Sequence, residues 1–302
     1  MTAFSICIPV YNCAISTLVE ELHKQAVETR HPFEILLMDD CSSQYREENR
    51  RLQELSQVSY IEWQENIGRA KIRNRLAQTA QYPYLIFMDC DTKVENSSYI
   101  QNYLAALPAE VVVGGYAYAP VPPEHRYELR WSYGRNREEI PAHVRNLHPN
   151  KSFSTFNFLI RKEVFNTVQF DETISGYGHE DTLFGWALKK QSIPIKHIDN
   201  PLLHQSLDDT GTFLSKTENS VKNLWRIYQS VPQKDDLAQD ITLLKYYLRL
   251  KKYHLTFLIS VVTPLLQPLA LRNLRSDRPK MFCFDLYKLM IINKIANQYA
   301  SL

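Results

Sequence analysis

The sequence holds no C-x-x-C pair, and its five cysteines (Cys7, Cys13, Cys41, Cys90 and Cys283) are odd in number. The spacing of redox and metal-binding pairs is missing. With three of the five in or beside apolar runs, buried reduced thiols in a cytoplasmic compartment are expected. No G-x-G-x-x-G follows the first apolar run and no G-x-x-x-x-G-K-[ST] occurs, which excludes a dinucleotide fingerprint and a P-loop. Residues 1–5 carry no basic segment before a strand-like pattern begins, so no secretory signal is expected. Internal repeats and low-complexity tracts are also missing.

What is present suffices for a sizeable core: 302 residues, 44% hydrophobic and 23% charged, fit one large domain with an appendage. The net charge of +2 is unevenly spread. From residue 245 onward ten Lys or Arg face two acids, a surplus of +8 that leaves −6 on the rest. A basic tail on an acidic body points to an anionic partner surface. Within it, residues 255–271 are uncharged but contain Pro264 and Pro268 and fall short of the roughly 20 residues a bilayer crossing needs. Arg249, Lys251 and Lys252 precede this run, and Arg272, Arg275, Arg278 and Lys280 follow it. That pattern fits a segment lying in a membrane interface, or a buried hairpin with a solvated basic edge. The tail shows no nucleic-acid-binding motif, so no nucleic-acid partner is expected.

Before the tail, near-continuous apolar runs at residues 5–10, 34–38, 58–61 and 84–88 alternate with helical stretches at about 13–27, 44–55 and 69–79. This is an α/β pattern with a mostly parallel sheet covered on both faces. Further strands are expected at 111–115, 156–160 and 195–198, a long substrate-facing loop at 120–149, and tail helices at 220–231 and 236–252. The first domain is placed at 1–215 and a helical basic region at 216–302.

Asp89-Cys90-Asp91 ends one of the apolar runs. Residues two apart on a strand share a side, so continued extension would bring both carboxylates to one point beyond a buried strand. Two hard oxygen ligands suit magnesium or manganese; the alternative is a solvated turn. The ends of the first two strands, at Pro9-Val10-Tyr11-Asn12 and Asp39-Asp40, would meet it on the ligand-binding edge of the sheet. With no glycine-rich loop, the phosphates of a nucleotide would fall to a metal ion and to side chains such as Arg69 and Arg73.

These residues bring a family into view. The chain resembles the inverting, nucleotide-sugar-dependent glycosyltransferases of family 2, which have the GT-A type fold. The resemblance rests on Ile6-Cys7-Ile8-Pro9-Val10-Tyr11-Asn12, Met38-Asp39-Asp40-Cys41-Ser42-Ser43, Asn66-Ile67-Gly68-Arg69-Ala70-Lys71-Ile72-Arg73-Asn74, Phe87-Met88-Asp89-Cys90-Asp91 and Gly178-His179-Glu180-Asp181, in that order. It implies transfer from a nucleotide diphosphate sugar, a UDP-sugar above all, to an acceptor hydroxyl, with Mn2+ or Mg2+ as cofactor.

Carried over residue by residue, Pro9, Tyr11 and Asp40 would hold base and ribose, with Asn12 and Gly68 also binding the nucleotide sugar. Asp40 could instead make an Asx turn or helix cap. Arg69 and Arg73, four apart on one helical face, would reach toward base or diphosphate; otherwise they are surface arginines. Asp91 would be the main metal ligand, with Asp89 beside it on ribose or metal and His204 as the best candidate for third ligand; His197 is the weaker candidate and could instead be structural. Cys90 belongs to the nucleotide-binding stretch by position and should pack on the opposite face. Asp181 would be the catalytic base, with His179, Glu180 and Tyr177 contacting acceptor or donor sugar, and Trp186 in the core or forming a sugar platform. The acceptor implied is a glycan or lipid-linked glycan of the cell surface, met at the cytosolic membrane face. Two other classes stay in view: a sugar-nucleotide pyrophosphorylase, and a non-catalytic carbohydrate- or nucleotide-binding protein.

Overall fold

A computed structural model describes residues 2–122, 124–174 and 178–300. The strands are β1 (Phe4–Val10), β2 (Phe33–Asp39), β3 (Val58–Glu62), β4 (Tyr84–Met88), β5 (Thr92–Lys93), β6 (Val111–Val113), β7 (Tyr116–Ala117), β8 (Asn157–Arg161), β9 (Ile195–His197) and β10 (Leu202–His204). The first helices are α1 (Ser16–Glu28), α2 (Arg46–Arg50), α3 (Arg69–Thr79), α4 (Tyr99–Ala105), α5 (Glu128–Tyr133), α6 (Ala142–Arg145), α7 (Lys162–Val168) and α8 (Glu180–Lys190). They are followed by α9 (Thr210–Ser230), α10 (Lys234–Asp240), α11 (Thr242–Lys252), α12 (Thr256–Leu274) and α13 (Met281–Ala300).

Seven strands form a sheet in the order β3-β2-β1-β4-β8-β6-β9. Pairing is parallel except at β8, which runs antiparallel to β4 and β6. The unbroken apolar runs follow from burial on both faces. Ile6, Ile8, Ile35, Leu37, Ile86 and Met88 pack under α1 and α4. Their neighbours Cys7, Leu36, Met38, Leu85 and Phe87 pack under α3, α7 and α8. The order reverses between β1 and β4, which is where an open α/β sheet presents its ligand crevice. A smaller sheet, β5-β10-β7, sets His204 opposite Thr92.

Contacts divide the chain into two units. One comprises residues 1–118, 138–173 and 180–206, and the other 119–137, 174–179 and 207–302. The second unit has its own core, built around Leu129, Trp225, Tyr247, Phe284 and Ile292.

The structure departs from the sequence reading at several places, and the single helix expected at 236–252 is broken at Ile241, whose extended backbone separates α10 from α11. The loop expected at 120–149 holds helical turns at 125–127, α5, a π-helical turn at 134–138 and α6. Helices this short carry too little periodicity to be read, and tertiary packing rather than propensity holds them. The helix expected to start at residue 220 begins at Thr210, where the Asp209 carboxylate accepts from the N–H groups of Gly211 (2.8 Å) and Thr212 (3.0 Å). Finally, Pro264 and Pro268 lie inside one continuous helix, α12. Standing four apart, both proline rings lie on an exposed face, where a helix tolerates them best.

Candidate active site

β4 stops at Met88 and the chain turns. The Asp89 N–H donates to the Phe156 carbonyl (3.1 Å), and the Thr92 hydroxyl closes back on the Asp89 carbonyl (2.9 Å). The extended backbone expected through Asp91 therefore does not continue, and the two carboxylates take different partners. Asp89 accepts from the Arg73 guanidinium and from Arg69 (3.3 Å). Asp91 faces His204 Nε2 across 3.6 Å, because the Gln205 N–H donates to the Asp91 carbonyl (3.0 Å) and pins β10 there. The rings of Phe156 and Tyr118 flank His204 with centroids at 5.3 and 5.7 Å.

The electrostatics of the pair diverge accordingly. Burial works to raise the Asp89 carboxyl, but Arg73, Arg69 and His204 outweigh it and hold it below its ordinary value. The Asp91 carboxyl is raised, by burial first and by Asp89 beyond the partial relief from His204. Arg73 is not a surface arginine: its side chain is 2% exposed, and a guanidinium also donates to the Arg69 carbonyl (3.1 Å).

Arg69 joins two parts of the sheet edge. Besides Asp89 it donates to Glu180 Oε1 at 2.6 Å, at the start of α8. Glu180, expected against sugar, is buried on that arginine, and Arg69 and Arg73 overcome burial to keep its carboxyl low. Asp181, one residue on, accepts from the Thr182 N–H (2.6 Å). Burial, reinforced by the Glu180 charge, pushes its carboxyl up to about 6. His179 precedes the helix with φ +71°; Tyr177 lies outside the described residues. Trp186 is half-buried under a Lys190 ammonium 5.3 Å from its ring centroid.

On the other side of the crevice, Asp40 makes no Asx turn of its own but binds backbone remote in sequence. Its carboxylate accepts from the N–H groups of Ile67 (2.7 Å) and Gly68 (3.0 Å), tying β2 to the start of α3, and burial raises it. Gly68 holds φ +86°, a conformation that favours glycine. Pro9 sits in β1 opposite Met38. Asn12 is a loop clasp: its side-chain oxygen accepts from the N–H groups of Ser43 (2.7 Å) and Gln44 (3.2 Å). Tyr11, 53% exposed, presents an open ring face at the strand end. The Cys90 carbonyl accepts from the Cys13 thiol (3.4 Å), and its side chain packs against the core beneath α1.

Among the described residues no three His, Cys, Asp or Glu side chains are gathered as metal ligands, so Asp89, Asp91 and His204 do not form a ready triad. Asp89 is neutralised by its arginines. Asp91 and His204 do fit a hard or borderline divalent cation, since a carboxylate raised by burial and an imidazole nitrogen converge at the crevice. Mg2+ commonly takes only one or two protein carboxylates and completes its shell from substrate phosphates and water. His197 is closed to such a role. One ring nitrogen meets Arg145 (2.7 Å), the other the Pro149 carbonyl (2.9 Å), and burial lowers it to about 4.

Sequence reasoning missed the buried scaffold behind the crevice. The Asn157 oxygen accepts from the hydroxyls of Tyr99 (2.6 Å) and Tyr103 (2.5 Å), while its amide donates to the carbonyls of Gly115 (3.0 Å) and Asn200 (2.9 Å). Arg145, 6% exposed, donates to the carbonyls of Val113, Gly114, Ile140 and Ile198. The only local signal was a polar residue inside the apolar run 156–160.

The family model described as glycosyl transferase family 2 matches residues 5–169. The validoxylamine A glucosyltransferase of Streptomyces hygroscopicus subsp. limoneus is 30% identical over 223 residues, 63% of this chain and 49% of that protein. The chondroitin synthase of Escherichia coli is 24% identical over 236 residues, 66% of this chain and 34% of that protein. The chain thus spans about half the length, or less, of the curated relatives it matches. Among solved structures, the mannosyltransferase PcManGT from Pyrobaculum calidifontis, in complex with GDP-Man and Mn2+, aligns with a TM-score of 0.62 at 14% identity, covering 99% of this chain and 88% of that one. S. aureus TarS 1-349 aligns at 0.53 and 17% identity, covering 100% and 92%. The shared fold is of the GT-A type.

Proposed function

Because this chain belongs to glycosyl transferase family 2, we propose that it moves a sugar from a nucleotide diphosphate donor, a UDP-sugar, to an acceptor hydroxyl with inversion at the anomeric carbon. The observation that carries this reading is the bridge made by Arg69 between Asp89 and Glu180. It ties the end of β4 to the start of α8, which supports a reading in which donor and base meet there.

In this reading the exposed ring of Tyr11 stacks on the base, and Arg69 turns its positive charge toward the diphosphate. Asp91 and His204 would hold a magnesium or manganese ion, which when bound offsets the negative charge of the departing diphosphate. Asp181 takes the proton from the acceptor hydroxyl as its oxygen attacks. A carboxyl held at about 6 is a stronger base than an ordinary one and remains ionised at neutral pH. Inversion follows from a single displacement with base and leaving group on opposite faces of the sugar. The acceptor in this reading is a glycan or lipid-linked glycan in cell-surface synthesis, met at the cytosolic membrane face. The basic tail supports that setting.

Hydrolysis of a panel of nucleotide sugars by the purified chain, with manganese and with a chelator, tests the proposal. One or a few UDP-sugars should be consumed, and only with metal. Indifference to the whole panel, or equal turnover in chelator, would sink it.

A further inference from the structure

α12 is apolar on two faces. Ile259 and Ala270 are buried with Met290 of α13, and Ser260 is turned the same way, its hydroxyl accepting from the Asn293 amide (2.9 Å). On the opposite side Phe257, Val261, Leu265 and Leu269 stand four apart in one stripe, 70%, 58%, 70% and 57% exposed. Every exposed residue from 257 to 269 except Ser260 is apolar. Among the described residues α12 is the one helix long and apolar enough to cross a membrane, with a mean hydropathy of 1.3, yet only 17% of it is buried. A contiguous stripe of this kind marks an interaction surface.

Charge decides what covers it. Arg249, Lys251 and Lys252 close α11 just before the stripe, and Arg272, Arg275, Arg278 and Lys280 follow it, all exposed. At that second end an open groove of about 650 Å³ is lined by Pro264, Gln267, Pro268, Leu271, Arg272 and Arg275. It combines an apolar floor with two guanidinium groups, the chemistry of an anionic amphiphile. We propose that α12 lies in one leaflet of an anionic membrane, its stripe in the acyl boundary and a lipid phosphate seated between Arg272 and Arg275. This deepens the membrane setting above and rests on that setting, not on the transfer chemistry.

A second copy of the chain is the poorer occupant. Both ends of the stripe are basic, so parallel and antiparallel pairing alike would set like charges together. A spanning helix fits no better. One face is committed to α13, cations stand at both ends, and the two prolines leave the carbonyls of residues 260 and 264 without their usual N–H donors. Headgroup water satisfies such carbonyls; the bilayer centre does not.

Flotation of the full chain with phosphatidylcholine vesicles, with and without phosphatidylglycerol, tests this directly. Flotation is expected with phosphatidylglycerol alone, to be reversed by high salt and untouched by added inorganic phosphate. R272Q/R275Q should weaken partitioning by about thirtyfold, from the usual contribution of two charges near an anionic surface. L265S should weaken it further while the chain melts as before. Should L265S misfold, the arginine pair and the salt dependence still decide. Protein left at the bottom with phosphatidylglycerol, equal flotation with neutral vesicles, partitioning indifferent to R272Q/R275Q, or a concentration-dependent dimer abolished by L265S would each overturn it. If flotation succeeds and the nucleotide-sugar panel fails, the transfer reading falls alone.

Discussion

Asp89 and Asp181 are both enclosed carboxylates, and their neighbours push them in opposite directions. Asp89 balances Arg73, whose side chain is 2% exposed. Removing one partner of such a pair leaves a charge with no compensation, so Asp89→Ala should cost about 3 kcal/mol, the low end of the buried-pair range because Asp89 keeps 19% exposure. Asp91 gains little from its surroundings, and Asp91→Ala should cost under about 1 kcal/mol. Chemical denaturation of the two variants checks the contrast. For Asp181→Asn, transfer should fall by about two to four orders of magnitude, the usual worth of a general base. Stability should move the other way. The Asp181 carboxyl is at about 6 in the folded chain against an ordinary 3.8, so the fold favours its neutral form. That contribution is present below the ordinary value and lost as pH rises to about 6. Asparagine does not titrate, so melting of Asp181→Asn should match the parent at low pH and exceed it above about 6. An active variant, or one that melts lower than the parent at neutral pH, would refute the assignment.

At the scale of elements, the strands were the most legible. Their apolar runs need only a local pattern to be seen, and burial on both faces accounts for the unbroken runs of β1, β2 and β4, while β3 keeps Ser59 exposed. The short helices between 120 and 149 were not legible. Nor was the purpose of Asn157, whose four hydrogen-bond partners come from α4 and from loops remote in sequence. That side chain ties β8 to α4 through two tyrosine hydroxyls, and to the turns before β7 and β10 through two carbonyls. Asn157→Leu keeps the volume but strands those groups in the interior, where each orphan costs about 1–3 kcal/mol. A loss of at least about 3 kcal/mol in denaturant unfolding is expected. A loss under 1 kcal/mol, on that same scale of about 1–3 kcal/mol per orphan, would mean the network is dispensable.

For the whole molecule, the proposed cation would be held by two ligands from distant parts of the chain, Asp91 after β4 and His204 on β10, which face each other at 3.6 Å. Two protein ligands make a weak site alone and a stronger one when a diphosphate supplies further oxygens. UDP binding to the full chain by calorimetry should therefore weaken sharply in chelator. Asp91→Ala should remove that metal dependence, and Cys90→Ala should preserve it. Equal UDP affinity with and without chelator would take the metal out of donor binding.

The sequence alone determined the layered α/β architecture, the strand ends that carry carboxylates, the family and the apolar, basic-flanked tail segment. Each of these is written in local spacing: unbroken apolar runs, a tripeptide, a run without charge. Tertiary structure alone decided which charge answers which. Arg69 meets a glutamate 111 residues away, Arg73 meets Asp89, and Asp40 answers the backbone at the start of α3 rather than open solvent. Tertiary structure also decided that the two prolines of α12 share its outward face. Coulomb attraction and hydrogen bonding depend on distance in space, and distance along the chain carries almost none of that information.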